Sequence, residues 1–413
     1  MSEAIKLFIE DARAVSIEEA AKIIGLKFKR TGFEHPQPCP NCRGTDTFSF
    51  NTSKEKWNCR TGGIGGNDAI GMAAHCEDLD IKSREGFLEA CSIVLARDIP
   101  TEGERESDED RAARKKRLEE RRLQNDADAA ARADSQADFR EKERTKARGI
   151  YQATMLLRAD RLAASMVVEY LHRRGCDAPP GVWLRASAEQ PYWHGQDERG
   201  SPAVLYTGVA MVAPFVGPDL LPIGCHITWI DLKQPPKFRP LLTDPATGEV
   251  LPTKKMRGSK KGGLIPIVGD PEAQRWVGGE GIENGAAFAA WEGYREDTFY
   301  FAAGDLGNLS GPADPSSRFA HPTLKKPDAK GVARPVMVAG PIPKRDQDAD
   351  DAMWVADHVR ELVLLSDGDS ERVMTAAAMA RARARHARPG RIIPVVWPRA
   401  GYDFSRMAVE TGE

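Results

Sequence analysis

Trp276-Val-Gly-Gly-Glu-Gly-Ile-Glu283 and Val363-Leu-Leu-Ser-Asp-Gly-Asp-Ser370 are the two stretches that decide the fold. In the first, the strand-like run Trp276–Gly279 stops at Glu280, Gly281 turns the chain, and Ile282–Glu292 continues with helical periodicity. In the second, Leu362–Ser366 reads as a buried strand, and Asp367 and Asp369 follow it one small residue apart. Around them, Phe299–Ala303 is strand-like, Thr375–Ala387 helical and Ile392–Trp397 a strand. Strands alternating with helices predict a parallel sheet with helices on its faces. Carboxylates that follow such strands lie at the carboxyl edge, where open α/β sheets hold their ligands. The Asp367/Asp369 spacing suits Mg²⁺, a hard cation that takes oxygen ligands and keeps waters to exchange for phosphate. Asp403, in Gly401-Tyr-Asp-Phe404, is a third acid expected to line the same cleft.

Upstream of this region, residues 200–270 are β-rich and punctuated by Pro and Gly. Lys254, Lys255, Arg257, Lys260 and Lys261 fall within eight residues, with no acid between Glu249 and Asp270. Lys233, Lys237 and Arg239 lie just before them, beside Phe238. Such clusters bind phosphates through charge, whatever the nucleotide sequence. The chain has no G-x-x-x-x-G-K-[ST] loop, so a helicase motor is not expected in it. Tyr151–Gly175 carries helical periodicity that Gly175 stops. Glu106–Arg148, with no Pro or Gly and mixed charges on good helix formers, reads as a solvated helical tether.

The first hundred residues have another character. Ser16-Ile-Glu-Glu19 is a capping-box start for a helix through Ile24. Thr47–Asn51 and Lys54–Cys59 are short β-like runs, and Asp68–His75 and Ser83–Ala96 read as helices. Cys39-Pro-Asn-Cys42 is a metal-binding turn, because two thiolates three positions apart grip one tetrahedral ion. Cys59 is a third ligand on the far side of a hairpin, but Gly62 stands where a fourth cysteine would complete a second C-x-x-C. His75 on the next helix is the first candidate for the fourth ligand, with Cys76, His35 and Cys91 as alternatives, which gives a Cys3His zinc site.

The 413 residues suit two or three domains. The expected division is 1–100, a small metal-binding domain; 101–150, a charged helical linker; 151–273, a basic β-rich part; and 274–413, an α/β part. A composition of 41% apolar and 29% charged residues excludes a fully disordered chain. The formal charge of −2 shows that any nucleic-acid contact must rest on local clustering. No run approaches the roughly 18 apolar residues of a membrane helix. The acidic start, with Glu3, Glu10 and Asp11, is unlike a secretory signal. Seven cysteines, an odd number, argue against a disulfide scaffold and for a reducing cytoplasm.

Together, Cys-Pro-Asn-Cys, Lys-Trp-Asn-Cys, the basic stretch, Glu280-Gly281, Asp367-Gly-Asp369 and Gly401-Tyr-Asp-Phe404 resemble a bacterial or phage DNA primase. That family has an N-terminal zinc ribbon and a C-terminal Toprim catalytic domain. The resemblance implies a multidomain α/β protein: a zinc ribbon, a charged linker, and a primase core with a basic β-rich subdomain and a Toprim parallel sheet. It implies template-directed synthesis of short RNA primers from NTPs on single-stranded DNA. Glu280 would be a metal ligand or general base, and Asp367 and Asp369 would hold Mg²⁺ or Mn²⁺. Lys260 and Lys261 would meet phosphates, and Asp403 would assist in binding. Cys39, Cys42, Cys59 and His75 would hold Zn²⁺. A separate replicative helicase is the expected further partner. A Toprim-type nuclease, or a DNA-binding replication accessory protein without catalysis, is the alternative. The interval between Glu280 and Asp367 is long for a compact Toprim domain, which marks Pro312–Val359 as an insertion.

Overall fold

The protein is described here from a computed structural model covering residues 2–29, 33–100, 108–177, 181–327 and 332–411. Residues 101–107 of the predicted linker and 328–331 of the predicted insertion lie outside the described residues. The chain is mixed α/β and divides into two compact units, 1–139 with 327–334, and 140–326 with 335–413.

The first unit begins with two helices, α1 (Glu3–Arg13) and α2 (Ile17–Ile24). The capping box expected at Ser16 is present: Ser16 Oγ accepts from the Glu19 amide, and the Glu19 carboxylate accepts from the Ser16 amide. Gly25 ends α2 in the left-handed region at φ 79°, open to a residue with no Cβ. Four antiparallel strands follow, β1 (Glu34–Cys39), β2 (Arg43–Asn51), β3 (Lys56–Cys59) and β4 (Ile64–Gly66), in that spatial order. β1 was not legible because Pro36 and Pro38 read as breakers. Both are tolerated on an edge strand, where the missing N–H faces no partner. Two helices, α3 (Ala69–Cys76) and α4 (Arg84–Leu95), are capped by Asp68 and Ser83, each accepting from an amide three residues on. They cover a core that includes Phe8, Ile17, Phe48 and Phe50.

Helix α5 (Asp108–Gln152) is the charged segment. Its C-terminal turns belong to the second unit, where Ala147 and Tyr151 are buried. The helix expected over Tyr151–Gly175 is instead broken. α5 ends at Gln152, the short strand β5 (Met155–Leu156) pairs with Arg185 and Ala186, and α6 (Leu162–Arg173) follows. Strand pairing wins there because it adds an edge to the sheet. That sheet is antiparallel, with β6 (Arg185–Gln196), β7 (Pro202–Val216), β8 (Pro222–Trp229) and, beyond a small hairpin of β9 (Leu242–Thr243) and β10 (Val250–Leu251), β11 (Lys254–Gly258). Its order is β11-β8-β7-β6-β5.

The second sheet of this unit contains β12 (Ile265–Val268), β13 (Arg275–Gly279), β14 (Thr298–Ala302), β17 (Glu361–Leu365) and β18 (Val395–Val396). Its order is β12-β14-β13-β17-β18, parallel throughout except for β12. Helix α7 (Ile282–Trp291) joins β13 to β14, and α9 (Arg372–His386) joins β17 to β18. Between β14 and β17 lie α8 (Leu306–Ser310) and a two-stranded hairpin, β15 (Phe319–Pro327) and β16 (Ala333–Val338). The hairpin lies within Pro312–Val359, the span marked as an insertion. The chain closes with α10 (Phe404–Thr411), whose Phe404 ring stands edge-on to Phe288 of α7 at 5.3 Å.

The strand expected over Ile392–Trp397 is reduced to Val395–Val396. The physical reason is Pro394, which has no N–H. The carbonyls of Ile392, Pro394 and Val396 still accept from Leu362, Leu364 and Ser366, so this segment serves as an acceptor edge.

Register is what positions the site. Gly279 pairs with Ala302 on one side and Leu365 on the other, so β13, β14 and β17 end at one level. The approach is close: a Cβ on Gly279 would stand 2.4 Å from the Leu365 carbonyl oxygen, and one on Gly278 2.5 Å from that of Phe301. Gly279→Ala is therefore expected to destabilise the fold by about 1–3 kcal/mol through forced strand displacement. Gly149→Ala, on exposed α5 with nothing within 4 Å, should stabilise it by about 0.5–1 kcal/mol. Denaturant unfolding of the two variants checks both signs.

Candidate metal cluster and acidic active site

In the first unit, the four predicted zinc ligands come together. Cys39 and Cys42 flank the β1–β2 turn, Cys59 ends β3, and His75 lies in the last turn of α3. Their ligand atoms all lie within 4.8 Å of one another. His75 Nε2 is 3.3 Å from Cys39 Sγ and 3.8 Å from Cys42 Sγ. The amides of Cys42 and Gly62 donate to the sulfurs of Cys39 and Cys59, both at 3.3 Å. N–H donors aimed at sulfur stabilise thiolates, and this set of donor atoms fits a tetrahedral zinc ion. Burial holds the His75 imidazole below its ordinary pKa, which favours the neutral, ligating form.

Gly62 explains why a histidine completes the set. A Cβ at Gly62 would lie 3.1 Å from His75 Cε1 and 3.2 Å from Cys42 Sγ. The position where the missing cysteine would stand thus already borders the cluster, and the imidazole occupies its space. The alternatives Cys76, His35 and Cys91 stand outside the group. His35 instead accepts the Lys29 amide at Nδ1. Trp57 belongs to the core: it is 5% exposed and stacks on His75 with centroids 5.3 Å apart.

In the second unit, common strand endings gather the acids. Glu280 follows β13 directly, and its backbone carbonyl accepts from the Gly304 amide after β14. Asp367 is the second residue after β17, and its carboxylate accepts from Asn284 Nδ2 of α7 at 2.7 Å. Glu280 is held above the usual carboxylate range first by burial and then by the charges of Asp367, Asp305 and Asp369. Burial also raises Asp367, opposed by the Asn284 hydrogen bond and assisted by Asp369 and Asp403. Asp369 is exposed, and Asp403 accepts from Ser405 Oγ and the Arg406 amide at the start of α10. Among the described residues, the cysteine–histidine group alone brings three or more His, Cys, Asp or Glu ligand atoms within 4.8 Å. The acids share a field without closing to that spacing, as mutually repelling carboxylates do.

Two residues of this site escaped the sequence reading. Asp305, three residues after β14, caps α8 through the Asn308 amide and takes the Lys260 ammonium as its ion partner. Applying the strand-end rule to Phe299–Ala303, as to the other two strands, would have found it. Asn284, in the first turn of α7, stands four residues beyond Glu280, which itself precedes the helix. The predicted phosphate contacts Lys260 and Lys261 are both paired with acids, Lys261 with Asp350 at 2.9 Å.

Among known proteins, residues 141–267 match a family described as a domain of unknown function, DUF7146. No curated protein matches the chain. Among solved structures, the chain is similar to the Aquifex aeolicus primase, zinc binding and RNA polymerase domains. The identity is 16%, over 100% of this chain and 83% of that one, with a TM-score of 0.33. That likeness is too slight to carry fold or activity across. No helix among the described residues is long and apolar enough to cross a membrane.

Two outcomes follow from this geometry. Purified protein should carry one zinc per chain, His75→Ala should lower that stoichiometry, and Gly62→Cys in the His75→Ala background should restore it. Metal analysis reads all three, and full zinc retention in His75→Ala removes the histidine from the site. In the acidic cleft, carboxyl groups with raised pKa values cost stability when ionised, a cost that fades as pH falls through the folded values. Asp367→Asn, which keeps the acceptor for Asn284, should raise the unfolding temperature at pH 7. Its advantage over the parent chain should shrink on acidification.

Proposed function

We propose that this chain is a DNA primase, which builds short RNA primers from NTPs on single-stranded DNA. The observation that carries the reading is the set of like-charged carboxylates, Glu280, Asp305, Asp367, Asp369 and Asp403, coupled at the carboxyl edge of one parallel sheet. A cleft that holds half-buried acids against their own repulsion fits divalent cations and a polyanionic substrate. Asp367 and Asp369 would hold Mg²⁺ ions. These would offset charge on the triphosphate and on the attacking oxygen.

In this reading the 3′ oxygen of one nucleotide bonds to the α-phosphorus of the next. The bond from that phosphorus to pyrophosphate breaks, and pyrophosphate leaves. The 3′ hydroxyl proton passes to a carboxylate oxygen of Glu280, which burial and the neighbouring acids hold above the usual carboxylate range. Asn284 keeps Asp367 oriented through its 2.7 Å hydrogen bond. The metal cluster of the first unit acts as a folding staple and a contact for the single strand, with no part in the chemistry.

Incubation with a single-stranded template, four NTPs and Mg²⁺ tests the reading. Products a few nucleotides long are expected. Glu280→Gln, Asp367→Asn and Asp369→Asn should each reduce them at least about 100-fold while template binding persists. A shortened template in place of primers would identify a nuclease. Template binding unaccompanied by either product would leave a DNA-binding accessory protein.

A further inference from the structure

The hairpin of β15 and β16 lies between β14 and β17 in the chain, and the parallel sheet does not need it for its own pairing. Thr323, Leu324, Lys325 and Lys326 on its first strand are all exposed. A lone two-stranded hairpin is marginal in water, so its base must hold it. Val338, at the end of β16, is buried. Just beyond it, the buried Arg381 guanidinium of α9 donates to the carbonyls of Ala339 and Gly340. The same guanidinium donates to the Gly311 carbonyl at 2.8 Å and to Ser310 Oγ at 2.9 Å.

The first strand is fastened to the same helix by His321. This residue of β15 is 5% exposed, and its Nδ1 accepts from the amides of Thr323 and Leu324 at 3.2 and 2.8 Å. A ring nitrogen that accepts carries no proton, so the ring N–H is at Nε2. Nε2 is buried 2.9 Å from Glu371 Oε1, close to it but not aligned as a hydrogen bond. A buried N–H calls for an acceptor, and this carboxylate oxygen is within reach of it. Glu371 Oε2 accepts from the Met374 amide at 2.7 Å and so caps α9. The hairpin base therefore meets α9 twice, at its start through Glu371 and further along through Arg381.

Between β17 and α9 runs the short loop that carries Asp367 and Asp369. On its near side, Asn284 holds Asp367, and the Gly368 carbonyl accepts from the Gly401 amide at 2.9 Å. Asp369 is exposed, and among the described residues no hydrogen bond holds its carboxylate. Its place is set by the fixed points on either side, Gly368 before it and Glu371 after it. We propose that His321 is a positioning residue for Asp369, acting through Glu371, so that the inserted hairpin latches the outer end of this loop. The inference rests on the proposed function for what Asp369 does, which is to hold a divalent cation. The latch itself is defined by geometry. It gives the inserted span a task at the acidic cleft, although none of its residues is a ligand there.

Hydrogen exchange of the full chain, without added divalent ions, reads the latch directly. His321→Asn keeps an acceptor for the Thr323 and Leu324 amides but is too short to reach Glu371. Glu371→Asp keeps the charge and the helix cap but falls short of His321. Glu371→Gln keeps the reach and the cap and loses the charge. Exchange over residues 367–374 should rise at least about threefold in His321→Asn and in Glu371→Asp, and less than about twofold in Glu371→Gln. The His321→Asn/Glu371→Asp pair should exchange no faster than the faster single variant, because both cut one contact. Mn²⁺ binding by the same chains, followed by electron paramagnetic resonance, carries the result to the cleft. The two severed variants should bind at least about threefold more weakly than the parent, and Glu371→Gln less than about twofold more weakly. A role of Glu371 through charge alone predicts the opposite order for Glu371→Asp and Glu371→Gln. Parental exchange in His321→Asn overturns the proposal. So does faster exchange spread across the whole second unit, or weaker Mn²⁺ binding by Glu371→Gln than by Glu371→Asp. Equal Mn²⁺ binding by Asp367→Asn and the parent would instead sink the cation reading of the cleft, and the exchange result would still decide the latch.

Discussion

The candidate active site depends on one constraint, the common ending of β13, β14 and β17. Parallel pairing fixes Gly279 beside Ala302 and Leu365, so whatever follows each strand emerges at the same edge. Glu280, Asp305 and Asp367 are one, three and two residues past those endings, short enough that the strands rather than the loops decide where they stand. Hydrogen bonds after the strands extend the alignment: Ala303 and Gly304 donate to Gly279 and Glu280. The sheet spends its side-chain-free positions, Gly278 and Gly279, on bringing neighbouring backbones close just before the acids begin.

That arrangement sets stability against charge. Glu280 and Asp367 are each raised by burial and by like charges, so the fold carries a repulsion that a neutral cleft would lack. It is offset locally. Lys260 pairs with Asp305, Asn284 supports Asp367, and the start of α10 supplies donors to Asp403. None of these offsets removes the negative field at Glu280 itself. A cluster kept partly uncompensated fits the divalent cations of the proposed function.

How much of this the sequence revealed follows from which residues carry local signals. Strands β13, β14 and β17 and helices α2, α3, α4, α7 and α9 were legible because apolar runs and capping residues such as Ser16, Asp68 and Ser83 are local. β1 was hidden by Pro36 and Pro38, and the break after Gln152 by a pairing with Arg185 and Ala186 about thirty residues away. At the sites, Cys39, Cys42 and Cys59 announced themselves by spacing. His75 was one of several options until the three-dimensional nearness of Gly62 to its ring accounted for it. Asp305 lay within reach of the strand-end rule, but the Lys254–Glu283 ion pair was invisible for a different reason. A lysine among lysines acquires meaning only from what stands opposite it.

The buried pair bears on why the second unit has two sheets at all. Lys254 belongs to β11, at one edge of the antiparallel sheet, and Glu283 to α7, which covers the parallel one. Apolar burial already joins them: Met211 and Phe215 share a core with Val277, Ala286 and Tyr300. Hydrophobic packing is tolerant of small slips, whereas a carboxylate accepting two donors from one ammonium and a third from Tyr170 is satisfied in one arrangement only. In proteins generally such pairs add little net stability over an apolar filling. Their retention here is better explained by what they fix, a cation of the antiparallel sheet held at a defined place beside the acids of the parallel sheet, close enough that its charge is felt at Glu280.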